Sequence, residues 1–277
     1  NYFGKISFYL FFFIFCLSCD QNLNVTKSFK ISKNIEDIFN KENNDNYFLI
    51  AHAGGGIDNN KYTNSQEAIF QSIDSGYKLI EIDLIETSDQ KLVGAHDWDH
   101  FRNISNCCKS SNNTPTLNEF NKFKILDNFH TVNYQKINEI FTNNEDLILV
   151  TDKTNNFELI NNLFTFDKKR IIVEIFGREN YFRAIKEDIK NPMYSANINE
   201  IDFIKKYNIK IISVHSNDFM SNKNTYKELS KNGTIIFVYS SNDIKFIEEN
   251  KLIVSSFYSD FIDIKNKKCT SIICETY

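Results

Sequence analysis

From residue 47 onward, short apolar runs alternate with segments of helical period. The runs cover 48–52, 79–84, 92–96, 147–152, 171–175, 193–196, 210–215, 235–239 and 253–258. Strands alternating with helical patterns predict βαβ units around a parallel sheet. Nine runs are one more than a closed eight-stranded barrel holds, and a single spacing settles the count. Only residues 85–91 separate the second run from the third. A parallel crossover needs about a dozen residues or more, so this pair must be an antiparallel hairpin, with Asp89-Gln90 suited to its turn. The pattern predicts an α/β fold, a (β/α)8 TIM-type barrel with a small insertion after the second barrel strand.

Between the first two strands, 65–75 has Ile69 and Ile73 at helical spacing and Gly76 where a helix would stop. Later helices fit 157–164, 180–188, 200–207, 224–231 and 242–249, and Tyr207, Tyr226 and many Phe residues at helical spacing read as core. The stretch 98–115 is polar, rich in Asn and Ser, without clear period, and reads as a loop-like insertion. The expected organisation is a signal peptide over 1–18, a flexible tether over 19–45 with a short helix near Ile35–Phe39, a barrel over 46–265 with its insertion at about 86–115, and a tail over 266–277.

Composition narrows the partners. Hydrophobic residues make up 42% of the 277, enough for a large core, and the formal charge is -4 with no basic block, which argues against a nucleic-acid partner. The first segment speaks to location. Lys5 precedes an apolar run over 6–17, too short to span a bilayer, which takes about 20 residues, but of signal-peptide length. Cys16-Leu17-Ser18-Cys19 looks like a bacterial lipoprotein processing site, with Cys19 as the lipidated first residue. This predicts export to the periplasm or cell surface, with the membrane reached through an N-terminal lipid anchor. An ordinary cleaved secretory signal is the alternative. In an oxidising compartment disulfides are permitted. Cys269 and Cys274 could pair locally or bridge to Cys107-Cys108, and the sequence leaves both open. No zinc-type spacing is present.

The candidate chemistry begins at Leu79-Ile80-Glu81-Ile82-Asp83-Leu84. Strand side chains alternate between faces, so Ile80, Ile82 and Leu84 form an apolar face. Glu81 and Asp83 share the other face, which points into a barrel. Buried side by side, two carboxylates are costly unless neutralised. A hard divalent cation, Ca²⁺ or Mg²⁺, does this through oxygen ligands; solvated or Lys-paired acids on a half-exposed strand are the bland alternative. Three further elements favour the metal: His52 at a strand end before Gly54-Gly55-Gly56, whose glycines permit close ligand approach; His96-Asp97 at the end of the hairpin strand; and Thr151-Asp152-Lys153 closing another strand. Barrel enzymes hold their active sites at the C-terminal strand ends.

His52-Ala53-Gly54, Asn64-Ser65 opening a helix, Glu81-Ile82-Asp83, and Lys91-Leu92-Val93 followed by His96-Asp97 together resemble the glycerophosphodiester phosphodiesterase family in order and spacing. His-Ala-Gly-Gly looks like a bacterial variant of the family's His-Arg-Gly, and Tyr258-Ser259-Asp260 is similar to its closing motif. The resemblance is strong over 47–102 and weaker to about 262. It implies His52 and His96 as the acid–base pair, Glu81 and Asp83 as metal ligands, and Gly54, Gly55 and Lys153 against the substrate. The family's third ligand comes from Glu-x-Lys on the next barrel strand. With Lys153 aligned, Thr151 stands where the acid should be, leaving Asp152 as the candidate third ligand. Either only one of Asp152 and Lys153 faces inward, or the strand ends before Lys153 and both reach in.

The implied reaction is metal-dependent hydrolysis of a glycerophosphodiester or related phosphodiester to an alcohol and a phosphomonoester. His52 serves as base, toward water or the substrate's own hydroxyl, and His96 as acid toward the leaving alkoxide. Glu174, His215, Tyr239 and Asp260 lie near strand ends as pocket-lining or structural residues. Trp98 and Phe101 either form a lid or lipid-facing rim or simply pack the insertion. Alternatives are a phospholipase D-like enzyme on intact lipids that releases a cyclic phosphate, a catalytically inactive ligand-binding lipoprotein, and a surface protein of unrelated fold.

Overall fold

The structure, a computed structural model, describes residues 30–39, 48–107, 113–239 and 241–276. Eight strands pair in parallel around a closed barrel: β1 (Phe48–Ala51), β2 (Leu79–Glu86), β6 (Ile148–Asp152), β7 (Ile171–Phe176), β8 (Asn191–Ala196), β9 (Ile211–His215), β10 (Ile235–Tyr239) and β11 (Ser256–Ser259). Closure comes from β1, which pairs with β11 on one side and β2 on the other. The ninth run is β3 (Leu92–Gly94), antiparallel to β2 with Leu84 opposite Gly94 and Glu86 opposite Leu92. Its turn is the expected one, with Gln90 at φ 56° and the Thr87 hydroxyl donating to Asp89 at 2.6 Å.

The helices α2 (Gln66–Asp74), α5 (Tyr134–Asn143), α6 (Phe157–Leu163), α7 (Arg178–Lys186), α8 (Ile201–Tyr207), α9 (Ser216–Ser221), α10 (Lys223–Lys231) and α11 (Ile244–Asn250) follow the strands in chain order. Helix α9 is absent from the sequence reading; six residues are too few to display a period. The alternation along β2 divides two cores. Ile80, Ile82 and Leu84 face outward into the layer between strands and helices. Leu79 faces the barrel interior with Ile50, Ile148, Val150, Ile172, Met193, Ile211 and Phe237. Short α1 (Lys33–Ile38) adds Ile35 and Phe39 to that interior cluster, the Phe39 ring lying 5.2 Å from Phe237. The Ser32 N–H ties this segment down by donating to Asn191 at 2.8 Å. Burial of several large apolar side chains, at about 1.5–3 kcal/mol each, makes this a firm floor for whatever sits above it.

The insertion is more ordered than a loop. Trp98–Ile104 is a helix, α3, its N-terminus capped by Asp97. It is followed by α4 (Leu117–Phe120), closed by a Thr116/Glu119 capping box, and by a small hairpin of β4 (Lys124–Ile125) and β5 (Phe129–His130). Phe101, Phe120, Ile125 and Phe129 gather with Val93, Ala95 and Trp98 into a satellite core. Phe101 stacks on Phe120 at 4.8 Å and Trp98 meets both edge-on. Phe101 therefore packs the insertion, and within the expected loop over 98–115 the stretch 98–104 is corrected to helix, since a helix of under two turns shows no period in sequence; 108–112 lie outside the described residues. After the barrel, β12 (Ile262–Asp263) and β13 (Lys268–Cys269) pair antiparallel, and Cys269 bonds to Cys274, the local pairing. Cys107 is disulfide-bonded too. No helix of the described residues is long and apolar enough to cross a membrane. The apolar run over 6–17, Cys16 and Cys19 lie outside the described residues.

Candidate active site

On nearly every barrel strand the inward face changes from apolar to polar toward the C-terminal end. Ile50 gives way to His52, Leu79 to Glu81 and Asp83, Val150 to Asp152, Ile172 to Glu174, Ile211 to Ser213 and His215, and Phe237 to Tyr239. The period-2 alternation of strands thus stacks a polar layer on the apolar floor. Above it opens a cavity of about 360 Å³ lined by His52, Glu81, Asp83, His96, Asp152 and Lys153, with Tyr62, Glu174, Phe176, His215, Tyr239 and Tyr258 completing the wall.

Glu81, Asp83 and Asp152 are 2, 3 and 8% exposed, and one oxygen from each lies within 4.8 Å of the others. Asp83 and Asp152 are register partners on adjacent strands, which is why their side chains meet. The Ala53 N–H donates to Glu81 Oε2 at 2.6 Å. Asn64 clamps Asp83 twice, its amide donating to Oδ2 at 2.8 Å and its carbonyl oxygen accepting from the Asp83 N–H at 3.0 Å. Glu81 Oε1 and Asp152 Oδ1 are buried without a hydrogen-bond partner. Burial, then the neighbouring Asp83 and Asp152 charges, raises the Glu81 carboxyl well above the usual range. Burial with Asp83 and Glu174 does the same to Asp152. Buried carboxylate oxygens with no donor are expensive. Two such oxygens, beside a third buried carboxylate within reach of the same point, suit an oxygen-seeking divalent cation, so the residues fit a metal.

The strand end of β6 resolves the question over Asp152 and Lys153. Lys153 has φ 63°, a left-handed conformation that breaks the alternation. Both side chains therefore reach inward: Lys153 Nζ lies 3.1 Å from Asp152 and 3.4 Å from Asp83. Burial works against the ammonium, yet Asp152 and Asp83 prevail and raise its pKa above the ordinary lysine value. Lys153 stays charged at neutral pH. Thr151, at the place of the family acid, is fully buried and donates to the Ile82 carbonyl at 2.8 Å.

Each histidine has its own aspartate. His96 Nδ1 is 2.6 Å from Asp97 Oδ2. An ionised carboxylate only accepts, so Nδ1 carries the proton and Nε2 is the remaining ring nitrogen. The other oxygen of Asp97 accepts the His100 N–H at 2.7 Å and caps α3. His52 Nδ1 lies 3.2 Å from Asp260 Oδ1; the two atoms are in ion-pair range without an aligned hydrogen bond. Burial opposes the Asp260 charge, but His52, Asn242 and Lys61 hold its carboxyl below the usual range. Asp260 is thus a partner of His52, a role its strand-end position alone does not reveal.

Glu174 accepts from Ser213 at 2.6 Å and Tyr258 at 3.0 Å, and burial raises its pKa. It is a satisfied wall residue. Gly54 and Gly55 do not line the cavity. They lie buried beneath α2 at φ 83° and 99°, where an added Cβ would meet Ile69 at 3.0 Å and Ser72 at 2.1 Å. The Gly55 N–H is spent on the His52 carbonyl at 2.8 Å. The glycines let helix and loop approach closely. The sequence reading missed Tyr62 and Phe176, which carry no motif, and the capping role of Asp97.

No family model and no curated protein matches the chain by sequence. Solved structures do match by fold. A glycerophosphodiester phosphodiesterase from Thermotoga maritima superposes with a TM-score of 0.62 at 18% identity, over 80% of this chain and 98% of that one. A glycerophosphoryl diester phosphodiesterase from Parabacteroides distasonis gives 0.64 at 15% identity, over 87% and 93%. A phosphodiesterase from Oleispira antarctica, in complex with its product sn-glycerol-3-phosphate, gives 0.64 at 13% identity, over 79% and 96%. The structural neighbours are thus glycerophosphodiester phosphodiesterases, the family the motifs resemble. At these identities what is shared is the fold.

Proposed function

We propose that the protein is a metal-dependent phosphodiesterase that hydrolyses a glycerophosphodiester or closely related diester to an alcohol and a phosphomonoester. One observation carries the reading. Three buried carboxylates, two of them with an unpartnered oxygen, share a single cavity with two imidazoles, each facing its own aspartate. A binding module has no need of such an acid–base pair. The fold shared with diesterases, and the product held by the Oleispira antarctica enzyme, support the substrate class.

Glu81, Asp83 and Asp152 would hold the metal, Ca²⁺ or Mg²⁺, which when bound supplies Lewis-acid charge toward a phosphoryl oxygen. The chain's own residues do the rest. Lys153 presents a fixed positive charge to the phosphate from beside Asp83 and Asp152. His52, steadied by Asp260, takes a proton from water or from a substrate hydroxyl. His96, with its Nδ1 proton held by Asp97, delivers a proton from Nε2 to the leaving alkoxide. Glu174, Tyr239 and Tyr258 wall the cavity and keep the charges from bulk water, where they would be screened.

We also infer export and a lipid anchor at Cys19, on the strength of the apolar run and the cysteine that follows it. The Cys269–Cys274 bond, at home in an oxidising compartment, supports that location. The test of function is a panel of glycerophosphodiesters, lysophospholipids and an aryl phosphodiester, assayed with and without chelator and with products weighed. Chelator-sensitive release of a phosphomonoester supports the proposal. A cyclic phosphate from intact lipids would favour the phospholipase D-like alternative. Inertness toward every diester would leave a binding protein.

A further inference from the structure

The loop between β1 and α2 carries five non-glycine residues at positive φ: Ala53 at 50°, Asp58 at 48°, Asn59 at 62°, Tyr62 at 58° and Asn64 at 47°. Asp and Asn adopt this region readily, whereas an aromatic residue there is a true outlier. Such strain persists only where the surroundings over-determine it, and it gathers at functional sites. The constraints flank Tyr62 on both sides. Lys61 Nζ lies 3.3 Å from Asp260, the partner of His52. Asn64 is clamped to Asp83, and its N–H donates to the Ala53 carbonyl at 3.0 Å. Between these anchors the Tyr62 ring enters the cavity. It meets His52 edge-on at 4.7 Å and 77°, His96 at 5.6 Å and 77°, and His100 at 6.3 Å and 82°.

We propose that Tyr62 is a positioning residue, a wedge whose ring sets the separation and the ring planes of His52 and His96. This rests on the phosphodiesterase reading above. Each imidazole faces an aspartate at Nδ1, and a ring held at one atom still swings about that contact. A second contact fixes its plane, and the single Tyr62 ring supplies that contact to both histidines at once. The spacing matters because the entering and leaving oxygens of a phosphoryl transfer stand roughly in line on opposite sides of phosphorus. The groups that serve them must stay apart. Without the wedge, His96 is free to turn toward His100, already 5.9 Å away with its Nδ1 buried and unpartnered. All three contacts are made by the ring, so the ring carries the role and the hydroxyl does not.

The test compares Tyr62→Phe with Tyr62→Ala in the metal-loaded protein, and follows the imidazole signals of His52 and His96 by NMR in the metal-free protein. Tyr62→Phe should keep kcat within about threefold and leave both imidazole signals in place. Tyr62→Ala should lower kcat about 100-fold, the scale of a misplacement near 1 Å, with KM and divalent affinity little changed, an altered pH–rate profile and both imidazole signals displaced. The wedge is overturned if Tyr62→Ala retains kcat, if it loses divalent affinity and melting temperature along with kcat, or if Tyr62→Phe is as impaired as Tyr62→Ala. Should the wild type turn over no diester, the phosphodiesterase reading fails, and the imidazole signals alone decide whether the ring holds the two histidines.

Discussion

Asp260 faces His52 across 3.2 Å and is itself fixed from behind by Asn242, whose amide donates to Asp260 Oδ2 at 2.9 Å while its carbonyl oxygen accepts from the Asp260 and Phe261 N–H groups. The last barrel strand thereby governs a histidine on the first. Replacing Asp260 with Asn removes the charge that steadies the protonated imidazole and keeps the shape. Turnover should fall about 10²-fold, a sizeable part of what acid–base catalysis contributes. Divalent binding, measured by calorimetry, should be unchanged, because Asp260 is not among the metal-site acids.

The histidines themselves should be less forgiving. His52→Ala and His96→Ala should each lower kcat by about 10²–10⁴-fold and leave divalent affinity intact, since neither imidazole belongs to the carboxylate cluster. Retained turnover of a phosphodiester by both single variants would exclude the acid–base assignment.

Gly56 joins stability to the site. A Cβ there would lie 2.0 Å from the Phe261 ring, while the Gly56 N–H donates to the Asp260 carbonyl at 2.7 Å. Gly56→Ala should cost about 1–3 kcal/mol by overpacking, and it should also depress turnover by moving Asp260. Gly177→Ala is the contrast: nothing lies near its Cβ, but its φ of 84° is strained for alanine. It should lose stability and keep the activity of the folded fraction. Thermal melts and initial rates on the two variants separate these effects.

These residues also show how far the sequence could be read. Glu81 and Asp83 were legible because alternation on a strand needs nothing beyond neighbours in the chain. The ninth run could be reassigned to a hairpin because seven residues cannot make a parallel crossover. Asp152 with Lys153 could not be resolved, since the answer is a backbone dihedral of 63° at Lys153, which no local pattern displays. The glycine run carries a constraint that the motif does not display. Gly54 and Gly55 satisfy the rule for close ligand approach, yet what approaches them is Ile69 and Ser72 of a helix. Tyr62 was invisible because its neighbours, His52 and His96, are brought to it only when the barrel closes.

The anchor is a separate matter from the fold. Cys19→Ser should release the exported protein from the membrane fraction, and labelled fatty acid should be incorporated by the wild type alone. Cys19 is the lipid acceptor the proposal names, so its loss removes the acyl chains that would hold the mature protein to the bilayer. A Cys19→Ser protein that stays membrane-bound would overturn the lipoprotein proposal without touching the site.

Metal and protons should compete for the carboxylate cluster, and the folded protein should report it. Burial and mutual repulsion raise the pKa of Glu81 and Asp152 above their ordinary values. In the metal-free protein the folded state therefore takes up protons at a pH where the unfolded chain has not yet done so. Stability must then rise as pH falls from the raised folded values toward the ordinary carboxyl range near pH 4, and it gains nothing further from these groups below that. Asp260 acts oppositely, since its lowered pKa withdraws stability only as pH falls through and below that range, so the two effects occupy different windows. With saturating Ca²⁺ or Mg²⁺ the acids are neutralised without protons. The melting temperature at pH 8 should rise, and its dependence on mild acid should flatten. Each kcal/mol relieved should appear as about 2–4 °C for a chain of this size class. Glu81→Gln should mimic the proton, raising the melting temperature of the chelated protein at pH 8 while abolishing the response to metal. Melts in chelator and in metal across pH 5–8 check this, and a chelated protein that grows less stable on mild acidification would show that the three acids are already neutralised by the chain itself.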